Sequence, residues 1–286
     1  MGAIFRHELR NYFHSLTAYV FGAFLLAVVG LGSVLYNLQA AVSNFEFVLS
    51  FASIIFVVIV PILTMRTLAE ERRQRTDQLL YSLPITTTQV VLGKYLALLV
   101  VYLIPLAVIS LYPLLFSRFG EVYLPTSYGS LFAFFLMGAA LLAVGVFLSS
   151  LTDNQGFAAG IGIAILLNYY SVSLAEYTSS TAMGSLIALY VIALLLGVVI
   201  RGLTRNENLA YGVAFVLIAA LSVAYFVNSS AFEGLLPDIM TKLSLFRQFN
   251  SFVNGAFDLT AIVYYVSVMG FFLFLSVQSL EKRRYN

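Results

Sequence analysis

Residues 70–94 read EERRQRTDQLLYSLPITTTQVVLGK and form the longest polar interruption in a chain that is otherwise a series of apolar runs. The stretch holds seven of the chain's 28 charged residues, which are 15 Lys and Arg plus 13 Asp and Glu. Placing these charges in hydrocarbon would cost several kcal/mol each at the bilayer centre, on the order of 10 to 20 kcal/mol in all. The stretch therefore lies in water or against protein, where it can contact a soluble partner.

The first part of this stretch has the pattern of a short helix. Residues 69–82 contain good helix formers and no Gly or Pro, and their leucines recur at helical spacing. Pro84 disfavours helical geometry at Leu83 and has no N–H group to donate, so the helix is expected to end near Ser82.

The second part has the pattern of a helix start. Thr86 followed by Gln89 matches a capping box, in which two side chains bond exposed N–H groups at the first turn. We therefore expect a second helix to begin near Thr87 and to continue into the next apolar run. A solvated linker with a chance capping pattern is the alternative.

Composition places the whole chain in a membrane. Of its 286 residues, 61% are hydrophobic and 10% are charged, with a mean hydropathy of +0.95, whereas a soluble domain carries about a quarter charged residues. The absence of cysteine excludes disulfides, thiol nucleophiles and cysteine-ligated metals. A net charge of +2 from dispersed cations gives no reason to expect nucleic-acid binding.

Eight apolar runs are close to the length of about 20 residues that a transmembrane helix needs. They cover residues 16–38, 47–65, 95–117, 128–151, 156–175, 182–200, 209–227 and 261–279. We therefore predict an all-α polytopic membrane protein of a single domain with eight spans, which places both termini on the same side. Residues 1–15 precede the first span as an interfacial helix, with Phe5, Leu9, Tyr12 and Phe13 on its apolar face.

Basic residues set the orientation. If the N-terminus is inside, twelve of them are cytoplasmic and three are external, an asymmetry that obeys the positive-inside rule. The cytoplasmic set is Arg6, Arg10, Arg66, Arg72, Arg73, Arg75, Lys94, Arg201, Arg205, Lys282, Arg283 and Arg284, and the external set is Arg118, Lys242 and Arg247. Residues 66–94 become a cytoplasmic loop, and both termini are cytoplasmic.

One long external segment, residues 229–260, is expected to form short helices. Pro237 suits the first turn of one helix, and Leu243, Phe246 and Phe249 share helical spacing. These helices either cap the outer mouth of the protein or lie on the lipid surface.

The chemistry of ATP binding is missing from the chain. Gly93-Lys94 lacks the upstream glycine of a phosphate-binding loop, and the only histidines, His7 and His14, have no second pair to complete a metal site. We expect no enzyme activity and no cofactor in this chain.

Ion coupling is also disfavoured, because no carboxylate falls inside a predicted span. Five acidic residues lie at predicted span ends, namely Glu46, Glu121, Asp153, Glu176 and Asp258. Asn168 does fall inside one, where it either contacts cargo or bonds a neighbouring helix.

The order of residues in the first loop is the basis of a family resemblance. It reads Glu70-Glu71, Thr76-Asp77-Gln78-Leu79-Leu80, Leu83-Pro84-Ile85-Thr86, Gln89-Val90-Val91 and Gly93-Lys94. This order resembles the first cytoplasmic loop of type-2 ATP-binding-cassette permeases, although Arg75 stands where that family usually has Gly. Residues 244–284 resemble the branch of the family that includes gliding-motility permeases.

The resemblance implies a permease subunit, similar to exporters in the cell membrane, that is driven by a separate ATPase. That ATPase would bind ATP and magnesium and would dock on the loop. The coupling residues it implies are Glu70, Glu71, Thr76, Asp77, Leu79, Leu80, Leu83 and Pro84.

The family also implies a six-span core, which makes residues 182–227 an inserted hairpin, and a second permease subunit that is identical or related. Two alternatives remain: a membrane scaffold or motility-type assembly component that moves nothing, and an ion-coupled carrier.

Overall fold

The computed structural model describes residues 1–64, 67–68, 86–151, 160, 163, 165–170, 173, 181–204 and 207–284, and within these ranges it contains helices and no strands. The helices are α1 (Gly2–His14), α2 (Leu16–Ser33, extended by a π-helical turn Val34–Gln39), α3 (Glu46–Ser53), α4 (Phe56–Thr64), α5 (Thr87–Ile109), α6 (Leu111–Phe116), α7 (Leu124–Leu151), α8 (Ala182–Thr204), α9 (Glu207–Val227), α10 (Leu235–Leu243), α11 (Leu245–Val253) and α12 (Leu259–Arg284). A short 3₁₀ helix, Ser229–Phe232, precedes α10.

Four helical segments are long and apolar enough to cross a membrane, and they confirm four of the predicted spans. They are Leu16–Gln39, Thr87–Phe116, Leu124–Leu151 and Leu259–Lys282. In α8 and α9, the apolar stretches whose side chains are described are Ala182–Leu194 and Tyr211–Val227, so these two predicted spans stay predictions. The predicted span at 156–175 lies largely outside the described residues, so the count of eight and the six-span core stay predictions.

The predicted span at 47–65 is divided in two, because α3 and α4 meet at a 59° bend. At the bend, the N–H groups of Ile55, Val57 and Val58 bond carbonyls three residues back, as in a 3₁₀ turn. The Ser53 hydroxyl donates to the Ser50 carbonyl, and this bond competes with the regular helical ladder. Pro61 has no backbone N–H group, so α4 has one helical hydrogen bond fewer. The pair is either one broken span or a re-entrant element.

The core of the first compact unit, Met1–Leu167 with Gln248–Asn286, is built around α7. This helix packs against α3, α4, α5 and α12. At its middle, the fully buried Tyr102 of α5 donates its hydroxyl to the Phe134 carbonyl at 2.9 Å. Gly138 makes that approach possible, because a Cβ at this position would lie 2.5 Å from the Tyr102 hydroxyl. The helices on α7 are therefore held at short and specific distances.

Residues 229–260 do form short helices, as the sequence predicts, and Pro237 lies in the first turn of α10. Leu243, Phe246 and Phe249 do not share one helix, although their spacing predicts it. The backbone is extended at Ser244, and this break separates α10 from α11. The Ser244 hydroxyl accepts a bond from the Arg247 N–H, which caps the first turn of α11.

The second compact unit, Asn168–Arg247, contains α8 and α9 packed against one another. The hydroxyls of Tyr190 and Ser222 are 2.6 Å apart and join the two helices. The Asn168 side chain accepts the Leu245 N–H at 3.2 Å, so it bonds a neighbouring helix, one of its two predicted roles. That residues 182–227 are an insertion stays a prediction.

Candidate functional site

The predicted coupling residues cannot be placed, because all eight lie outside the residues that the structure describes. They are Glu70, Glu71, Thr76, Asp77, Leu79, Leu80, Leu83 and Pro84. The structure does describe the two ends of the segment that carries them, and we call these ends the roots of the loop. The N-terminal root is the end of α4 with residues 67–68, and the C-terminal root is the first two turns of α5.

The N-terminal root is fixed to two other helices. Tyr12 of α1 donates its hydroxyl to the Leu63 carbonyl at 3.2 Å, and the Leu68 N–H donates to the Ser149 hydroxyl of α7 at 3.3 Å. Thr64 packs against Gly145 of α7 so closely that a Cβ there would lie 2.5 Å from the Thr64 hydroxyl. This root is therefore held on both sides, by α1 and by α7.

The C-terminal root begins where the sequence predicts. The Thr86 hydroxyl accepts the Gln89 N–H at 3.3 Å, and α5 starts at Thr87. Thr87 is buried and donates its hydroxyl to Glu281 of α12 at 2.9 Å. This bond joins the start of α5 to the C-terminal end of the chain, 194 residues away in sequence.

Lys94 lies in α5, the helix that the sequence predicts to begin near Thr87, and its charge is buried. Its ammonium group lies 2.7 Å from the Glu8 carboxylate of α1, and the two side chains are 2% and 12% exposed. Burying either charge alone would be costly, so the pair is stable only as a pair. The bond therefore fixes the position of α1 on α5.

The α1 helix confirms the predicted helix at the N-terminus, but its buried stripe differs from the predicted apolar face. Glu8 and Tyr12 are its buried residues, and Ile4 packs against Gly93 of α5. A Cβ at Gly93 would lie 3.1 Å from the Ile4 side chain, so the two helices touch there. Through Tyr12 and Glu8, the single helix α1 contacts both roots. Its location at a membrane interface stays a prediction.

The side chains at the roots and on α1 make helix-to-helix contacts. Within the described ranges, no group of three or more His, Cys, Asp or Glu side chains lies close enough to hold a metal ion. His7 pairs with Asn11 and His14 with Arg10 on the exposed side of α1. The roots are joined by hydrogen bonds or an ion pair to α1, α7 and α12.

A comparison with protein families gives the decisive match. A family model described as ABC-2 family transporter protein matches residues 25–180, more than half of the chain. The chain belongs to this family. It is therefore an ABC-2 permease and a multi-pass membrane protein, and membership implies association with an ATPase subunit. No match was found among curated proteins or solved structures. The narrower resemblance to gliding-motility permeases stays a prediction.

Sequence reasoning missed the bonding or the burial of three carboxylates of this ABC-2 permease. Glu8 bonds Lys94, and Glu281 bonds Thr87. Glu46, at the start of α3, is 2% exposed. One signal in the sequence pointed to the first pair: Glu8 lies four residues before Tyr12, on an otherwise apolar stripe of α1, and Lys94 is separated from the other charges of residues 70–94 by the uncharged residues 78–93.

Proposed function

We propose that this permease exports its substrate across the cell membrane and is driven by a separate ATPase that docks on residues 66–94 from the cytoplasm. Export is inferred from the analogy with type-2 exporters. Cytoplasmic termini follow from the distribution of Lys and Arg, which also places the loop on the ATPase side.

The observation that supports this mechanism best is the bridging of both roots by α1. A loop whose two ends were free would absorb a push from a partner by bending. Here Tyr12 holds the N-terminal root and Glu8 holds the C-terminal root, while Glu281 ties the latter to α12. A displacement of the loop is then passed to α4, α5 and α12 as a rigid-body movement.

Each predicted coupling residue has a role in this proposal. Glu70, Glu71 and Asp77 supply charge-assisted hydrogen bonds to the ATPase, and Leu79, Leu80 and Leu83 supply apolar contacts. Thr76 and Pro84 mark the helix and the turn that present them.

We further propose that ATP and magnesium are bound and ATP is hydrolysed in the partner, since this chain has no phosphate-binding loop. An ATPase of this type works as a dimer, so two permease subunits, identical or related, are expected in the complex. Closure of the ATPase dimer would then draw the two loops together.

The experiment is to copurify the ATPase with a Leu80→Asp, Asp77→Arg double variant. We expect loss of ATPase copurification and of transport-coupled nucleotide turnover. The variant places a charge among the apolar contacts and reverses the charge of an ionic contact. The control is Glu121→Arg, a charge reversal at an exposed residue outside the loop, which should keep both copurification and nucleotide turnover.

Unchanged copurification and turnover in the double variant would contradict docking on this loop. A wild-type complex that docks its ATPase but transports nothing in liposomes would favour the scaffold alternative instead.

A further inference from the structure

Glu46, the first residue of α3, has a buried carboxylate that is only half bonded. The side chain is 2% exposed, and its Oε1 accepts the Ser127 hydroxyl of α7 at 3.0 Å. Its Oε2 is equally buried and has no hydrogen-bond partner, and no ion pair reaches it from the described residues. A fully buried acidic oxygen of this kind requires an explanation.

A second buried oxygen without a hydrogen-bond partner belongs to a residue nearby in the sequence. Asn37, in the π-helical turn after α2, has a buried Oδ1 with no partner. These two atoms are the only buried side-chain nitrogens or oxygens without a partner in the part of the chain that the structure describes. Both are acceptors, so both lack the same thing, a hydrogen-bond donor or a positive charge.

The two oxygens lie at either end of one connection, residues 40–45, between packed helices α2 and α3. Asn37 also donates its amide to the Val42 carbonyl at 2.7 Å, so it holds this connection in place. Ala41 within it has a positive φ of 51°, which side-chain-bearing residues adopt at some cost, and Ala41 itself is exposed.

We propose that Glu46 is a binding site for a primary ammonium group. One carboxylate balances one positive charge, so a divalent ion would leave net charge buried. Calcium and magnesium also need six or more oxygen ligands, far more than these residues offer. A primary ammonium group carries one positive charge and three N–H donors, one of which the unbonded Oε2 of Glu46 can accept.

An ammonium group has two sources in a membrane. It belongs either to an amine cargo or to the headgroup of phosphatidylethanolamine. The inference stands apart from the ATPase proposal, because binding is measured on the permease alone.

The test uses a photoreactive octylamine that carries a diazirine on its chain, with the wild-type permease in phosphatidylcholine nanodiscs. We expect labelling of peptides around residues 37–46 and 124–131. Unlabelled octylammonium should compete, whereas octyltrimethylammonium, which has the same charge and chain but no N–H donor, should not. Equal competition by the quaternary amine, or labelling spread evenly over the chain, would overturn the proposal.

Glu46→Gln supplies the matched test of the residue itself. We expect labelling of these peptides to fall about tenfold or more, because a charge-assisted bond is lost. Glu121→Gln, at an exposed carboxylate before α7, should keep full labelling, and equal loss in both variants would overturn the assignment. The comparison of the two amines needs only wild-type protein, so it decides the proposal even if Glu46→Gln does not fold.

A final arm separates the sources. Replacing part of the phosphatidylcholine with phosphatidylethanolamine should suppress labelling if the natural ligand is the lipid headgroup. Labelling that persists in such nanodiscs assigns the site to an amine cargo.

Discussion

Glu8 and Lys94 show how one pair of side chains determines the position of a whole helix. The ammonium and carboxylate groups lie 2.7 Å apart, out of water, at the contact between α1 and α5. Such a pair contributes specificity more than net stability, because the attraction is largely offset by the cost of removing both charges from water. Its value is therefore best measured by removing the charges singly and together.

Lys94→Met leaves the Glu8 carboxylate buried without its partner, and we expect the free energy of unfolding to fall by roughly 3 to 5 kcal/mol. The double variant Glu8→Leu, Lys94→Met should recover most of that loss, because no buried charge remains. Denaturant unfolding in detergent micelles measures both. Arg10→Met, on the exposed side of α1, is the control and should leave the unfolding free energy unchanged. Equal losses in the single and the double variant would show that the pair is not coupled.

The sequence could indicate these residues only in part. Local signals were enough for the Thr86 cap and the start of α5, since both partners lie within one turn. The Glu8 and Lys94 pair spans 86 residues and the Thr87 and Glu281 pair spans 194, so their formation depends on how distant helices pack. Glu46 illustrates the same limit: its position at a helix end was predictable, but its burial between α2, α3 and α7 was not.

At the scale of elements, α1 is packed directly against α5. Its stripe of Ile4, Glu8 and Tyr12 contacts α5 and the end of α4. We therefore expect α1 to move together with α5 when the loop is displaced. The chain contains no cysteine, so an introduced pair can form only one disulfide within a subunit.

The double variant Ile4→Cys, Gly93→Cys tests this directly. A Cβ at Gly93 would lie 3.2 Å from the Ile4 Cβ, close to the distance of about 3.5 to 4.5 Å in disulfides. We expect the bond to form readily on oxidation and to leave ATP-driven turnover in liposomes within about twofold of the reduced protein, since rigid-body coupling needs no sliding there. Arg6→Cys with Gly93→Cys, on the opposite side of α1, should not cross-link. A disulfide that abolishes turnover would show instead that α1 slides on α5.

Element boundaries were predictable where a local rule applies and not where packing decides. Pro237 marked the first turn of α10 correctly, because its ring suits that position. The bend between α3 and α4 was missed, because residues 47–65 form one unbroken apolar run whose only breaker, Pro61, lies beyond the bend. The break at Ser244 was missed for a related reason, since the apolar spacing continues across it.

For the whole molecule, orientation is the property on which docking depends. The basic residues predict that residues 66–94 are cytoplasmic and that 229–260 are external. The fold is consistent with a polytopic membrane protein, and docking of a cytoplasmic ATPase requires this orientation.

Single cysteines at Arg72 and Lys242 measure this orientation in a chain that has no native cysteine. In intact cells, a membrane-impermeant maleimide should label Lys242→Cys, which is exposed on α10, and should label Arg72→Cys only after the membrane is made permeable. The reverse pattern would place the loop outside, where no cytoplasmic ATPase could reach it.

Under the proposed coupling, the 59° bend between α3 and α4 would change the direction of a displacement that starts at the loop. A straight span transmits an axial thrust along its full length. Across this bend, roughly half of a displacement along α4 would continue along α3, by the cosine of the angle, and the larger component would act sideways on the helices packed against α3. Under the proposed coupling, a movement that starts at the loop would therefore reach α3 mainly as a sideways shift and not as a push along one axis.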